Sequence, residues 1–297
     1  MTGSETHDGL DAGSTDQPPG GDGPRGNDIV ETLDWLGRPV DCGRCDHQDR
    51  KAEGRCQPLR ACVHDRYAKR IQRFFEWNDD LAGEYLDHPY FEVRANAVRF
   101  APIFVVPRLM ADPDETVRAS LARRLPRRLL LKLRDDPHRE VRIAVAMRLD
   151  GPDLAPMMRD GDYSVRLRVA RRAPEGMLPA MMHDEDAEVR MEIARRISLE
   201  WLMSMAWDDN SRVRSLVAQR LAPEKLAPLA RDTDWCVRYV VATRIAPDDL
   251  EPLTHDPEDD VRAVALARLK AAAHAGTRTD TDTAAGTADG TVQGDTP

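Results

Sequence analysis

The 297-residue chain predicts an all-α solenoid, and three observations carry that prediction. Val-Arg pairs at Val93, Val117, Val141, Val165, Val189, Val213, Val237 and Val261 recur every 24 residues without a slip, so one structural unit is copied eight times. From each Val, apolar residues follow at +4, +5 and +8, as in Val117, Leu121, Ala122 and Leu125. At about 100° per residue these share one face of a helix. A second apolar pair stands at +13 and +16, as in Leu154 and Met157 or Leu226 and Leu229, with Pro156, Pro228 and Pro252 just inside it. Length then selects the architecture. A first helix of about 12 residues leaves room for one short turn, 3₁₀ by its i, i+3 spacing, whereas two-helix repeats need roughly 40 residues and ankyrin units roughly 33.

In chain order, residues 1–28 hold six acids against one base, and residues 271–297 hold four acids against Arg278. The tails carry net charges of -5 and -3 out of a total of -9, leaving the body near neutral. Both are Gly, Thr, Asp and Pro with almost no large apolar side chain, so they are expected to be disordered. No stretch is apolar enough to span a membrane, and the N-terminus has no basic start followed by an apolar run. A cytoplasmic, reducing location is expected, where clustered cysteines hold metal more often than they form disulfides.

Residues 29–76 contain such a cluster. Cys42, Cys45, Cys56 and Cys62 fall within 21 residues with spacing C-x2-C-x10-C-x5-C, in a segment too polar to bury four thiols as core. They read as one metal site. The spacing does not name the metal: the second pair is wider than in a zinc ribbon, and the compact ferredoxin run is absent. Arg44, Arg50, Lys51, Arg55 and Arg60 surround the ligands and would offset a negative centre, zinc tetrathiolate and cubane cluster alike. His47 and His64 are possible substitute ligands, more often solvent-facing or capping. Cys236, between Trp235 and Val237, reads as an ordinary buried or half-buried thiol.

One period before Val93, Lys69-Arg70 with Ile71, Phe74, Phe75 and Trp77 forms a degenerate copy zero, suited to cap the first hydrophobic face of the array. The repeats proper then run over 77–270. Five residues before each Val stands Asp112, Asp136, Asp160, Asp184, Asp208, Asp232 or Asp256, with His88 in the first copy. Asp-Pro at 112, 136 and 256 reads as an N-cap with Pro in the first turn, and Asp114, Asp162, Asp186, Asp234 and Glu258 add charge that the helix dipole favours there.

Two arginine rows need an account. The +1 row, Arg94, Arg118, Arg142, Arg166, Arg190, Arg214, Arg238 and Arg262, falls inside the apolar arc and must be paired, the Asp of the same or an adjacent copy being the expected acceptor and an arginine stripe that binds an anionic partner the alternative. The +7 row, Arg124, Arg148, Arg172, Arg196, Arg220, Arg244 and Arg268, lies at the rim of the arc and is expected to snorkel towards a surface. A near-neutral body disfavours nucleic acid as the partner. Met157, Met158, Met181, Met182 and Met205, at equivalent positions, read as adaptable core filler.

The Cys42-Gly43-Arg44-Cys45 start, with Cys56 and Cys62 and the following Asp-x4-Val-Arg-x3-Ala-x-Arg-Leu units, resembles the leucine-rich repeat variant proteins over roughly residues 29–270. The resemblance implies an N-terminal [4Fe-4S] domain joined to a right-handed superhelix of alternating α and 3₁₀ helices, with Cys42, Cys45, Cys56 and Cys62 ligating the cluster. It also implies an association with nitrogen-fixation genes, and it brings no activity. Four protein ligands would leave the irons coordinatively filled. No radical-SAM spacing, Walker loop, dinucleotide fingerprint or recognisable nucleophile is present, so the expectation is not an enzyme. The expected function is a cluster-bearing scaffold whose repeat surface grips a protein partner, with an electron-transfer or sensing role. Its rivals are a zinc- or cluster-stapled structural scaffold and a nucleic-acid module.

Overall fold

The computed structural model describes residues 31–284. The chain divides into two compact units that meet between Asp79 and Asp80.

The first unit has little regular structure: a short helix α1 (Gln48–Ala52), a longer one α2 (Ala68–Trp77), and isolated bridges Leu33–Pro39 and Gln57–Ala61. Asp34 organises its opening turn. Its Oδ1 accepts the N–H groups of Leu36 and Arg38 at 2.9 and 2.8 Å, and Gly37 adopts φ +79° to let the chain reverse. The copy-zero helix is α2, with Ile71, Phe74 and Phe75 fully buried. Asn78 ends it by donating from Nδ2 to the Phe74 carbonyl at 2.8 Å and the Arg55 carbonyl at 2.9 Å. Arg55 donates in turn to the Trp77 carbonyl, so residues 77–79 belong with the cysteine segment rather than with the repeats.

The second unit is the repeat array. Full helices α3 (Phe91–Phe100), α4 (Glu115–Ala122), α6 (Arg139–Ala146), α7 (Tyr163–Arg172), α8 (Ala187–Arg196), α10 (Ser211–Arg220), α11 (Trp235–Arg244) and α12 (Asp259–Ala284) each carry one Val-Arg pair. Between them run 3₁₀ segments such as Gly151–Arg159 and Glu175–Met181. In two copies a single α turn, α5 (Arg127–Leu130) or α9 (Leu199–Leu202), precedes the 3₁₀ turn. Among the described residues there is no strand.

The predicted columns form the core. Every +4 residue from Ala97 to Ala265 and every +13 residue from Val106 to Leu250 is buried, as are Met157, Met181, Met182 and Met205. Each Val or Leu so buried stabilises the fold by about 1.5–3 kcal/mol relative to exposure. The exception marks the end of the array: Leu266, at a +5 position where seven other copies are fully buried, is exposed because no copy follows it.

The +1 arginines form the expected ladder, and the acceptor is the next copy. Arg94, Arg118, Arg142, Arg166, Arg190, Arg214 and Arg238 each donate from Nε and Nη2 to the two carboxylate oxygens of Asp112, Asp136, Asp160, Asp184, Asp208, Asp232 and Asp256, at 2.6–3.0 Å. From the second copy on, Nη1 reaches back to the carbonyl of the Asp preceding its own helix, as Arg118 does to Asp112 at 2.7 Å. From Arg118 to Arg238 each guanidinium therefore ties two Asp residues 24 apart, while Arg94 ties His88 to Asp112.

That role displaces these aspartates from the helix caps. The expected helix start at Asp112 and its equivalents is two residues early: Asp112 closes the preceding 3₁₀ segment, and Asp114 is the N-cap, accepting from Thr116 N at 2.8 Å. Asp162, Asp186, Asn210 and Asp234 cap in the same way. A carboxylate at -5 that is held by an arginine and accepts one backbone N–H two residues on, as Asp112 does from Asp114 at 2.9 Å, lies outside the helix and cannot cap it.

The +7 arginines stay at the rim, with Arg148 and Arg172 exposed, but their heads are engaged rather than free to line a surface. They cap the last carbonyls of the preceding copy's helix: Arg148 donates to Ala122 O and Leu125 O at 3.1 and 2.7 Å, and Arg268 to Ala242 O and Ile245 O at 2.9 and 2.8 Å. A helix end leaves carbonyls without intrahelical partners, and a guanidinium from the neighbour satisfies them.

Two further expectations change. Cys236 is exposed, because it occupies the first turn of α11 on its outer side. The boundary at 270 also moves, for α12 runs on to Ala284 through Ala271, Ala272 and Ala273, the best helix formers. The expected disordered tails otherwise lie outside the described residues.

Candidate metal centre

The four cysteines predicted as ligands come from three backbone segments of the first unit. Cys42 and Cys45 sit on a turn opened by Asp41, whose Oδ1 accepts Gly43 N at 2.9 Å. Cys56 follows the sharp exit from α1 at Gly54, φ +75°. Cys62 lies after a tight loop in which Gln57 and Ala61 pair and Leu59 is held at φ +65°, rare for an L side chain. Cys62 is further pinned where its N–H meets the Arg70 carbonyl at 3.2 Å.

The structure pairs Cys56 with Cys62 and leaves Cys42 and Cys45 nearby. Cys56 and Cys62 are buried and share a thiol hydrogen bond, while Cys42 and Cys45 are half-buried and near enough to act on the others electrostatically. The Cys62 hydrogen bond lowers the pKa of Cys56, with Lys51 a smaller influence in the same direction. The same bond and burial push Cys62 upward, and burial raises Cys45. Two sulfurs already accept backbone N–H groups from two residues on: Cys45 from His47 at 3.4 Å, and Cys62 from His64. Such donors favour the thiolate that a metal binds.

Among the described residues, no three His, Cys, Asp or Glu side chains meet closely enough to hold a single metal ion. The thiols stand as a group with one hydrogen-bonded pair rather than a closed tetrahedron. As a donor set, four soft sulfurs with N–H groups on two of them fit a thiolate-bound iron-sulfur group.

Behind the thiols stand residues that the sequence did not mark for that place. Asp65, fully buried, accepts from Tyr67 N at 2.9 Å and pairs with Arg70 at 2.8 Å, fixing the chain just past Cys62. His47 is buried, with its ring stacked on His64 at 6.0 Å and against Phe74 at 5.1 Å. The signal for Asp65 was a lone acid among Arg66, Lys69 and Arg70; nothing in the sequence marked His47 as core.

A family model for the FeS4-cluster segment of leucine-rich repeat variant proteins matches residues 32–84, and a leucine-rich repeat variant model matches residues 163–186. A solved structure described as a leucine-rich repeat variant with a novel repetitive protein structural motif is 41% identical, with a TM-score of 0.73, covering 77% of this chain and 99% of that one. The chain belongs to the leucine-rich repeat variant family. A second relative, described as an uncharacterized 27.7 kDa protein in the nifB 3′ region of Rhodobacter capsulatus, is 52% identical over 84 residues. That match covers 28% of this chain and 34% of the relative, so the chain is aligned with about a third of that protein's length.

For a leucine-rich repeat variant the division of labour is plain. The +7 arginines and seven of the eight +1 arginines bond within the array, and Arg262 bonds to the Asp256 carbonyl and Asp259. Among the described residues, no helix is long and apolar enough to cross a membrane.

Proposed function

We propose that Cys42, Cys45, Cys56 and Cys62 hold a [4Fe-4S] cluster and that the repeat array is a scaffold for a protein partner, to which the cluster passes an electron or reports redox state. What supports this reading is the family's FeS4-cluster model over residues 32–84, which spans all four cysteines, together with the buried Cys56 and Cys62 and the backbone N–H directed at Cys45 Sγ. Bound there, the cluster would supply a one-electron centre. The chain's own part is to bury Cys56 and Cys62, to direct N–H groups at sulfur, and to set Lys51 and the neighbouring arginines against a negative group.

The protein is not an enzyme in this reading, since four cysteine ligands leave no coordination position for substrate. It is cytoplasmic, where thiols stay reduced. Nucleic acid is a poor partner, because both arginine rows that could have tracked phosphates are engaged within the array. A link to nitrogen fixation is supported by the name of the Rhodobacter capsulatus relative.

Anaerobic purification from a nitrogen-fixing host tests the reading. Expected are an EPR signal on dithionite reduction and a protein that co-purifies and is lost when the cluster is removed. Zinc in place of iron, with no EPR signal, would leave a stapled scaffold; steep salt-dependent retention on DNA would favour the nucleic-acid reading.

A further inference from the structure

The repeat fixes what each position does for the fold, so a residue that departs from the repeat and buries nothing needs another explanation. Six residues before each Val, the copies carry Asp87, Ala111, Asp135, Arg159, His183, Trp207, Arg231 and His255. Trp207 is the one large aromatic in that column, and it is 67% exposed. A tryptophan left mostly in water, away from its copy's core, is typical of a contact surface.

Trp207 stands at the lip of a cavity of about 550 Å³ between the ends of two successive short helices, lined also by His183, Glu185, Ser204, Met205 and Asp209. A second cavity of about 400 Å³ lies one copy earlier and shares His183 and Glu185 with it, so the two form a groove crossing successive repeats. The floor is rigid. Arg190 binds the Asp208 carboxylate and the carbonyls of Asp184 and Glu185 at 2.8 and 3.1 Å, which leaves its guanidinium no role towards a ligand. Glu185 is largely exposed while touching Arg166 at 2.9 Å. Asp209 is exposed, acts on Arg190 through space, and makes no ion pair of its own among the described residues.

At the Trp207 end, an indole face beside the exposed carboxylates of Asp209 and of Glu185, which Arg166 already touches, over an Arg190 already paired, is complementary to a cation, while the other cavity is also lined by the exposed Arg159. The wider charge pattern agrees: residues 80–182 hold eighteen bases against fifteen acids, whereas residues 183–270 hold thirteen bases against eighteen acids. The groove opens where the array turns acidic.

We propose that this groove docks an extended, basic segment of a protein partner, with a lysine or arginine seated on Trp207 between Glu185 and Asp209. The proposal deepens the scaffold reading and rests on it.

The test uses the full chain and a fluorescein-labelled peptide of alternating arginine and glycine, with an alternating glutamate and glycine peptide as control. The arginine peptide should bind the wild type, weaken about tenfold against Trp207→Ala and about fivefold against Asp209→Asn, and bind Trp235→Ala normally; the glutamate peptide should not bind. All three substituted side chains are exposed, and unchanged thermal unfolding would exclude a folding defect. Equal binding by the wild type and Trp207→Ala, or complete competition by spermidine at equal charge concentration, would overturn the assignment. Native-host co-purification separates this failure from that of the scaffold itself. A partner retained by Trp207→Ala sinks only the groove, whereas no partner with the wild type sinks the scaffold whatever the peptide does.

Discussion

Arg190 in one repeat holds Asp208 in the next through two parallel bonds, Nε to Oδ2 at 2.7 Å and Nη2 to Oδ1 at 2.9 Å. With 15% and 7% of their side chains exposed, the pair is largely withdrawn from water. A repeat protein is stable to the extent that neighbouring copies hold one another, and this contact is made seven times, so the ladder sets the register of the array.

Replacing Arg190 with Met strands the Asp208 carboxylate. The expected loss is about 3–5 kcal/mol by urea unfolding. Adding Asp208→Leu to that variant should recover part of it, since an uncompensated charge costs more than an absent pair. No recovery in the double variant would mean the loss is one of packing.

Arg148→Met removes two donors to carbonyls at the end of α4. Water can reach part of that site, so the expected loss is smaller, about 1–3 kcal/mol, and hydrogen exchange should quicken at the end of α4 before it does in the other helices.

The Arg238 guanidinium holds the Asp256 carboxyl below its ordinary value. Ionised Asp256 therefore stabilises the folded chain at and above pH 5, and that contribution disappears as pH falls from about 4 through the depressed folded value. Asp256→Asn should be less stable than the wild type at pH 7, with the difference shrinking below pH 4. A difference constant with pH would contradict the pairing.

Leu59, at φ +65° and 44% exposed, is the one non-glycine residue with positive φ among those described. Leu59→Asn should raise stability by up to about 1 kcal/mol, because Asn tolerates that conformation and little apolar contact is lost. A clear destabilisation would show that the Leu59 side chain is needed between Cys56 and Cys62.

The array was legible from the spacing because each copy repeats the same buried columns, and Val117, Leu121 and Leu125 report their face without a partner being known. The partner of each arginine was less legible. Asp112 lies six residues before Arg118 and Asp136 eighteen after it, and only folding shows that the carboxylate of Asp136 and the carbonyl of Asp112 are both used. The same ambiguity displaced the helix starts. Asp at -5 is the more regular of the two acidic columns, but that regularity reflects the ladder, while the true caps at -3 tolerate Tyr90 and His138. At the thiols, the cysteine pattern singled out Cys56 and Cys62, which pair, and Cys42 and Cys45, which lie nearby. The support from Asp65, Arg70 and the Asn78 hook onto Arg55 depends on a loop path without periodicity.

Iron and acid-labile sulfide per chain, measured on anaerobically prepared protein alongside single Cys→Ser variants, decide whether the four thiols hold a cluster. About four of each are expected, with absorbance around 400 nm, loss or marked depletion in Cys42→Ser, Cys45→Ser, Cys56→Ser and Cys62→Ser, and no change in Cys236→Ser. Full iron and sulfide in any of the first four variants, or stoichiometric zinc in the wild type, would contradict a cluster held by all four.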